Sequence, residues 1–258
     1  MSQSAFTASE SGKPDYPTLN YDSWARSVSR DNLWGQVRRT VGGKPVSPSD
    51  IAAIVSKIDE ALSLERHDVL IDFACGNGAL ASHLFSRVGG YLGSDISPYL
   101  IGIAKERFAD ARNGINFRVS GAADHVLSES DPDHFTKALC YGSFAYLSDD
   151  EAWCLLDGVY RRFPRISRLF VGNLPDRDRA CSFYGEQMPS AAEMADPSSR
   201  IGIWRSRSDI TYLAEQAGWS VSLSTMPTPF FAAHYRFDAL FTRLPPGPGS
   251  ATARGCQR

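Results

Sequence analysis

Two carboxylates and a run of small residues carry the chemistry most visible in this sequence. Asp72 stands inside the apolar run Val69 to Cys75, and the residues after it are Phe73, Ala74, Cys75, Gly76, Asn77 and Gly78. Small residues where a buried strand turns towards a helix let the backbone approach a ligand closely. About 20 residues further on, Asp95 ends a second apolar run, where a carboxylate can accept both hydroxyls of an adenosine ribose. A dinucleotide fingerprint would need another glycine three places on to seat a pyrophosphate, whereas this chain has Leu80 and Ala81 there. A plain structural turn is the other reading open to the run taken alone.

Acid–base groups are harder to find. His234, in PFFAAHYRFD, and Tyr146, in YGSFAYL, are the candidates for acceptor chemistry, each set against ordinary packing. His67, His83 and His134 fall on expected helix or connection surfaces, and His125 follows the third strand, where structure is the better reading. Arg38 and Arg39, with Lys44 after two glycines, could grip a phosphate or carboxylate of a substrate, against a solvated loop as the alternative. Tyr21, Trp24 and Trp34 share that segment and would line an acceptor pocket or fasten the segment to the core. The five cysteines, Cys75, Cys140, Cys154, Cys181 and Cys256, form no CxxC pair and no zinc-like quartet. No metal is expected, and free thiols suit a reducing, cytoplasmic compartment.

The elements that position these residues alternate. Apolar residues Ile51, Ile54, Val55, Ile58 and Leu62 recur at helical spacing after the capping pair Ser47 and Asp50. Strand Val69 to Cys75 and a short helix from Gly78 to Arg87 follow. Next come strand Tyr91 to Ile96, a helix opened by Ser97 and Pro98, and strand Ile115 to Val119. Strand Lys137 to Tyr141, a helix capped by Ser148 with Glu151, and strand Arg168 to Asn173 repeat the pattern. A helix stopped by Gly218 leads to two final strands, Ser220 to Met226 and His234 to Thr242, expected to pair as an antiparallel hairpin at the sheet edge. This alternation predicts an α/β protein with a doubly wound parallel sheet.

Around that domain, residues 49–244, the sequence predicts a flexible N-terminus over 1–17, a helical lid segment over 18–48, a cap insertion over 174–204 and a flexible tail over 245–258. A formal charge of -2 supplies no basic field for a polyanion, so nucleic acid is not the expected partner. No segment has the length and apolarity of a membrane span or a signal peptide. Monomer and homodimer are equally compatible with the sequence.

The runs VLIDFACGNGALASHL and YLGSDISPYLIGIAKER together resemble the first two motifs of the class I, Rossmann-like S-adenosylmethionine-dependent methyltransferases. The likeness spans roughly Ser49 to Arg243 and departs at Ala74, where the family usually has glycine, and after strand three, where Gly121, Ala122 and Ala123 precede Asp124. The resemblance implies a seven-stranded, mostly parallel sheet of order 3-2-1-4-5-7-6 with the last strand antiparallel, and S-adenosylmethionine as cofactor with S-adenosylhomocysteine as product. It places Asp72 at the methionyl ammonium, with Ala74, Cys75, Gly76 and Asn77 along the methionyl portion. It puts Asp95 on the ribose, Ile96, Ala122 and Ala123 around the adenine, and Tyr141, Gly142 and Ser143 beside the sulfonium, with Tyr21 as a further contact. The implied reaction is methyl transfer to a small-molecule acceptor, a sugar or secondary-metabolite hydroxyl. An amine acceptor and a non-catalytic, cofactor-binding regulator are the alternatives. The Asn/Asp-Pro-Pro-Tyr run of nucleic-acid amino-methylating members is missing from CYGSFAYL.

Overall fold

The computed structural model describes residues 18–243; the expected flexible N-terminus 1–17 and tail 245–258, with Cys256, lie outside the described residues. Seven strands make the main sheet: β1 (Val69–Phe73), β2 (Gly90–Asp95), β3 (Ile115–Val119), β4 (Lys137–Tyr141), β5 (Arg168–Pro175), β6 (Trp219–Ser224) and β7 (Arg236–Arg243). Their order is β3-β2-β1-β4-β5-β7-β6. Neighbours among the first five run parallel, while β7 is antiparallel to both β5 and β6. The order reverses between β1 and β4, so the crevice at the carboxyl ends of those strands is where an open α/β sheet binds ligands.

Both faces of the inner strands are covered, which is why β1, β4 and β5 read as near-continuous apolar runs, whereas the edge strand β3 buries Ile115 and Phe117 and exposes the residue between. On one side Val126, Leu155, Leu156, Val159 and Ile210, from helices 122–128, 149–162 and 207–217, pack on Ile71, Ala138, Leu169 and Phe237. On the other, Ile54, Ile58 and Ile101, from helices 48–62 and 98–108, pack on Leu70, Tyr91, Leu139 and Phe170. The helix starts follow their side chains. The Ser47 and Ser97 hydroxyls accept N–H bonds from Asp50 and Leu100, Ser148 and Glu151 complete a capping box, and Gly218 closes its helix at φ 89°.

The helix expected from Gly78 to Arg87 is instead two 3₁₀ turns, Ala81–His83 and Phe85–Arg87. The buried residues there are Ala81 and Leu84, three apart, which is the spacing a 3₁₀ turn places on one line. A short helix not expected from the sequence, Ala122–Ser128, follows β3; it buries His125 completely, where the ring meets the Glu129 carboxylate at 3.1 Å.

The segment before the domain forms helix α1 (Thr18–Ser27), one helical turn at Leu33–Gln36 and a small hairpin pairing Thr40–Val41 with Lys44–Pro45. Of the insertion, Leu174 and Pro175 still belong to β5; the rest is short turns and helices at 177–179, 180–184 and 191–194. Its aromatic residues Phe183, Tyr184 and Trp204 cluster on Tyr235, beside the β6–β7 connection. The register between β5 and β7 shifts between Val171 and Leu174, with Asn173 at φ 65°. That bulge re-aims Asn173 at the carboxyl end of β5.

Candidate functional site

A cavity of about 610 Å³ opens at the order reversal. Its floor is Asp72 and the turn Ala74 to Asn77, with Asp95 on one flank and Tyr141, Gly142 and Ser143 on the other. Tyr21, Trp34, Val37 and Arg39 roof it.

The turn is tight because its backbone leaves the usual regions. Ala74, Gly76 and Gly78 have φ of 62°, 61° and 76°. Glycine adopts such angles freely, whereas at Ala74 the left-handed conformation costs about 1 kcal/mol. Tight packing also forbids side chains here. A Cβ on Gly76 would stand 2.9 Å from Val37 Cγ1, and one on Gly93 of β2 would meet the Tyr91 hydroxyl at 2.6 Å.

The two carboxylates differ in their partners. Asp72 is buried and, among the described residues, its side chain accepts the Tyr91 hydroxyl alone, at 2.9 Å. Burial, aided by the nearby charge of Asp95, pushes its pKa up to about 7 against the pull of the Tyr91 bond and Arg39. Asp95 accepts the Gly76 N–H and the Ser97 N–H, both at 2.9 Å. Its pKa is also raised by burial, while those two N–H bonds hold it down. The same burial drives the Cys75 thiol well above its ordinary pKa, so Cys75 is a neutral lining group and not a thiolate nucleophile.

Several side chains fasten the N-terminal segment over this floor. Asn77 is buried, and its amide nitrogen donates to the Leu33 carbonyl at 2.8 Å and Gln36 Oε1 at 2.9 Å. Asp22 accepts the Ser97 hydroxyl at 2.6 Å and the Tyr99 N–H at 3.1 Å. Arg39 lies over the Tyr141 ring at 4.9 Å and is hydrogen-bonded to that side chain, with burial lowering its pKa. Sequence reasoning did not find Asp22 or Gln36; nothing in their local pattern reports that they reach across to residues far along the chain.

Of the residues singled out from the sequence, Tyr21, Asp72, Ala74, Cys75, Gly76, Asn77, Asp95, Tyr141, Trp34 and Arg39 line this cavity together. Ile96, Ala122 and Ala123 do not line it. Ile96 stands beside Gly121 and Asp124, just beyond Asp95, since a Cβ on Gly121 would lie 3.5 Å from Ile96 and 3.2 Å from Asp124. Trp24 donates its indole N–H to the Gly35 carbonyl at 2.9 Å and lies under Arg38, so these two hold the N-terminal segment together away from the cavity. Tyr146 packs edge-on against Tyr21 and donates its hydroxyl to the Arg200 carbonyl. His234 is exposed, its ring against Tyr235, and lines neither cavity. The chain turns at His234 before β7 begins at Arg236, which leaves the ring on the outer side of the connection. No residue of the insertion 174–204 lines either of these two cavities. The β6–β7 connection makes a wall beside Tyr141 instead.

That wall holds a second, smaller cavity of about 190 Å³, which shares Tyr141 with the first as a lining residue. Met226, Phe230, Ala232 and Ala233 make its apolar side, and Asn173, Arg236 and Asp238 its polar side. Asp238 is 2% exposed; its Oδ1 accepts the Asn173 N–H at 2.8 Å and its Oδ2 has no partner. Burial raises its pKa. The sequence hides Asp238 because it sits inside a strand, at a place where only the bulge opposite makes room for a carboxylate.

A turn that presents backbone to a ligand, a carboxylate at each end of it and a cavity of this size fit an adenosyl group carrying a charged amino-acid tail. Asp72 would hold the ammonium, Asp95 the ribose, and Tyr141 to Ser143 would flank the group to be transferred. Residues 70–163 match the family described as "Methyltransferase domain". Over those residues the chain is similar to a methyltransferase domain.

Over 110 residues, 42% of this chain, it is 32% identical to the magnesium-protoporphyrin O-methyltransferase of Rhodobacter capsulatus, and the match spans about half, 47%, of that relative. Among solved structures, the methyltransferase domain and its flanking elements resemble magnesium protoporphyrin IX methyltransferase from Synechocystis, solved with S-adenosylhomocysteine bound. That likeness has TM-score 0.55 and 17% identity, and covers 87% of this chain and all, 100%, of that one. A small RNA methyltransferase is equally similar, at TM-score 0.56 and 17% identity over 80% of this chain and 26% of its own. Enzymes with such different acceptors share this fold, so the fold alone does not choose an acceptor. Among the described residues no helix is long and apolar enough to cross a membrane, and no group of His, Cys, Asp or Glu is arranged to hold a metal ion.

Proposed function

We propose that the protein transfers the methyl group of S-adenosylmethionine to a hydroxyl of a small molecule, a sugar or secondary metabolite being the class the sequence favours. The observation that carries this reading is the pair of cavities that share Tyr141: one chamber with two carboxylates, and beside it a smaller one in which the buried Asp238 has one carboxylate oxygen, Oδ2, without a partner among the described residues.

The bound cofactor supplies an electrophilic methyl on a sulfonium. The protein's own work is to align an acceptor behind that methyl, exclude water and take the acceptor's proton. In this reading Asp72 and Asp95 hold the donor and Tyr141, Gly142 and Ser143 shape the passage. Tyr21, Trp34 and the rest of the segment 18–48 cover it. Asp238 takes the part of general base that the sequence suggested for His234. Its Oδ2 is free to accept a hydroxyl proton, and its burial makes it a stronger base than an exposed carboxylate.

The test is methyl transfer from labelled S-adenosylmethionine to a panel of hydroxylated and amino small molecules, with the product bond identified by mass spectrometry. The expected result is an O-methyl product. Asp238→Asn should lower kcat by roughly 10²–10³-fold and flatten the rise of rate with pH, while leaving cofactor affinity unchanged. An N-methyl product, or an Asp238→Asn enzyme of full activity, would contradict the assignment.

A further inference from the structure

The second cavity also carries an arginine with no carboxylate assigned to it. At about 190 Å³ it is the smaller of the two cavities. Arg236, at the start of β7, donates one guanidinium nitrogen to the Asn173 carbonyl and stacks on the Tyr235 ring at 4.9 Å. Among the described residues it forms no ion pair, whereas Arg177, Arg205 and Arg207 nearby meet Asp209, Asp149 and Asp176.

A second guanidinium adds to the same field. Arg39 lies on the other side of Tyr141, close enough that Arg236 disfavours its charge. Arg39 Nη2 and Asn173 Nδ2 stand 3.5 Å and 3.6 Å from where a side chain on Gly142 would begin, so both donors meet beside the transfer passage. Arg39 and Arg236 place a guanidinium on either side of Tyr141, while the cation that acts on Asp238 is Lys57. An anion held between the two guanidinium groups meets two positive charges where little water screens them.

We propose that the second cavity is an oxyanion subsite of the acceptor. A carboxylate or phosphate of the substrate is gripped by Arg236 and Asn173, with the Arg39 charge behind it, and the acceptor is therefore a hydroxylated acid. The anion fixes the molecule while its hydroxyl faces Asp238. Phe230, Met226 and Ala233 receive the apolar part between the two. This assignment rests on the methyl-donor reading of the first cavity, and Arg236 does not line that cavity, which makes the two separable.

The experiment uses the full chain saturated with S-adenosylhomocysteine and titrated with 4-hydroxybenzoate, phenyl phosphate and the neutral 4-hydroxybenzamide. At least one anion should bind about tenfold or more tightly than the amide, and the stronger of the two tells carboxylate from phosphate. Arg236→Gln should abolish that preference with S-adenosylhomocysteine affinity within about threefold of wild type. Arg236→Lys, which keeps the charge and the aliphatic stem, should retain part of the preference, and it carries the test if the glutamine variant fails to fold. Equal binding of amide and anions, no anion binding, or a preference that survives both substitutions overturns the subsite while the donor reading stands. Failure of the wild-type chain to bind S-adenosylhomocysteine overturns the donor reading itself.

Discussion

Replacing Asp95 by alanine raises the dissociation constant for S-adenosylmethionine by roughly 100-fold or more, on this account. Two ribose hydroxyls donating to a buried carboxylate contribute about 1.5–3 kcal/mol each, and about 1.4 kcal/mol is one factor of ten. The substitution also removes the acceptor for the Gly76 and Ser97 N–H groups, so the turn and the next helix lose a common anchor. A thermal melt separates the two consequences: a variant that unfolds cooperatively and still loses the ligand has lost the contact. A change in affinity below about threefold would show that Asp95 serves the turn alone.

The second large effect is a proton linkage at Asp72. Its pKa in the folded protein is pushed up to about 7, above the 3.8 of an ordinary aspartate, so the folded state holds this proton more tightly than the unfolded chain does. Stability of the ligand-free protein therefore falls as pH rises from about 4 to 7 and levels off above that. The full span corresponds to ~4 kcal/mol at about 1.4 kcal/mol per pH unit. Asp95, raised in the same direction, adds to the slope.

An ammonium placed at Asp72 selects the ionised carboxylate. Cofactor binding at pH 6 then releases a proton, and affinity climbs with pH until about 7. Calorimetry at pH 6 in two buffers of different ionisation enthalpy reads the proton directly. Asp72→Asn should remove most of the release and flatten the stability profile between pH 4 and 7; a release that is unchanged in the variant would take the ammonium away from Asp72.

The donor half of the site was legible in the sequence because it is built from local signals. Asp72, the small-residue turn after it and Asp95 sit at fixed offsets from strands that advertise themselves as buried apolar runs; strand–helix alternation points to a doubly wound parallel sheet, and the resemblance of the two motifs supplies its order. Ser47, Ser97, Ser148 and Gly218 mark helix ends by their own side chains or lack of one. The acceptor half proposed above is written in contacts between distant parts of the chain. Asp238 and Asn173 are 65 positions apart and meet only because β5 bulges opposite β7. Asn77 holds Leu33 and Gln36 across more than 40 positions, which no periodicity records. His234 was attractive for its residue type and its place before the last strand, but the turn that precedes Arg236 carries it outward.

The insertion shows the same difference in another way. Its length and composition set it apart from an ordinary connection, and its rings close on Tyr235 and not over the first cavity. The cover comes from the N-terminal segment, whose mixed aromatic and basic sequence shows no clean period because its helices are short and each is held by single polar bonds.

Titration calorimetry of the intact protein with S-adenosylmethionine and S-adenosylhomocysteine tests the central claim most directly. Saturable one-to-one binding of both, lost in Asp95→Ala and accompanied by proton release through Asp72 at pH 6, is the predicted result. A folded protein that binds neither would contradict the account at its root.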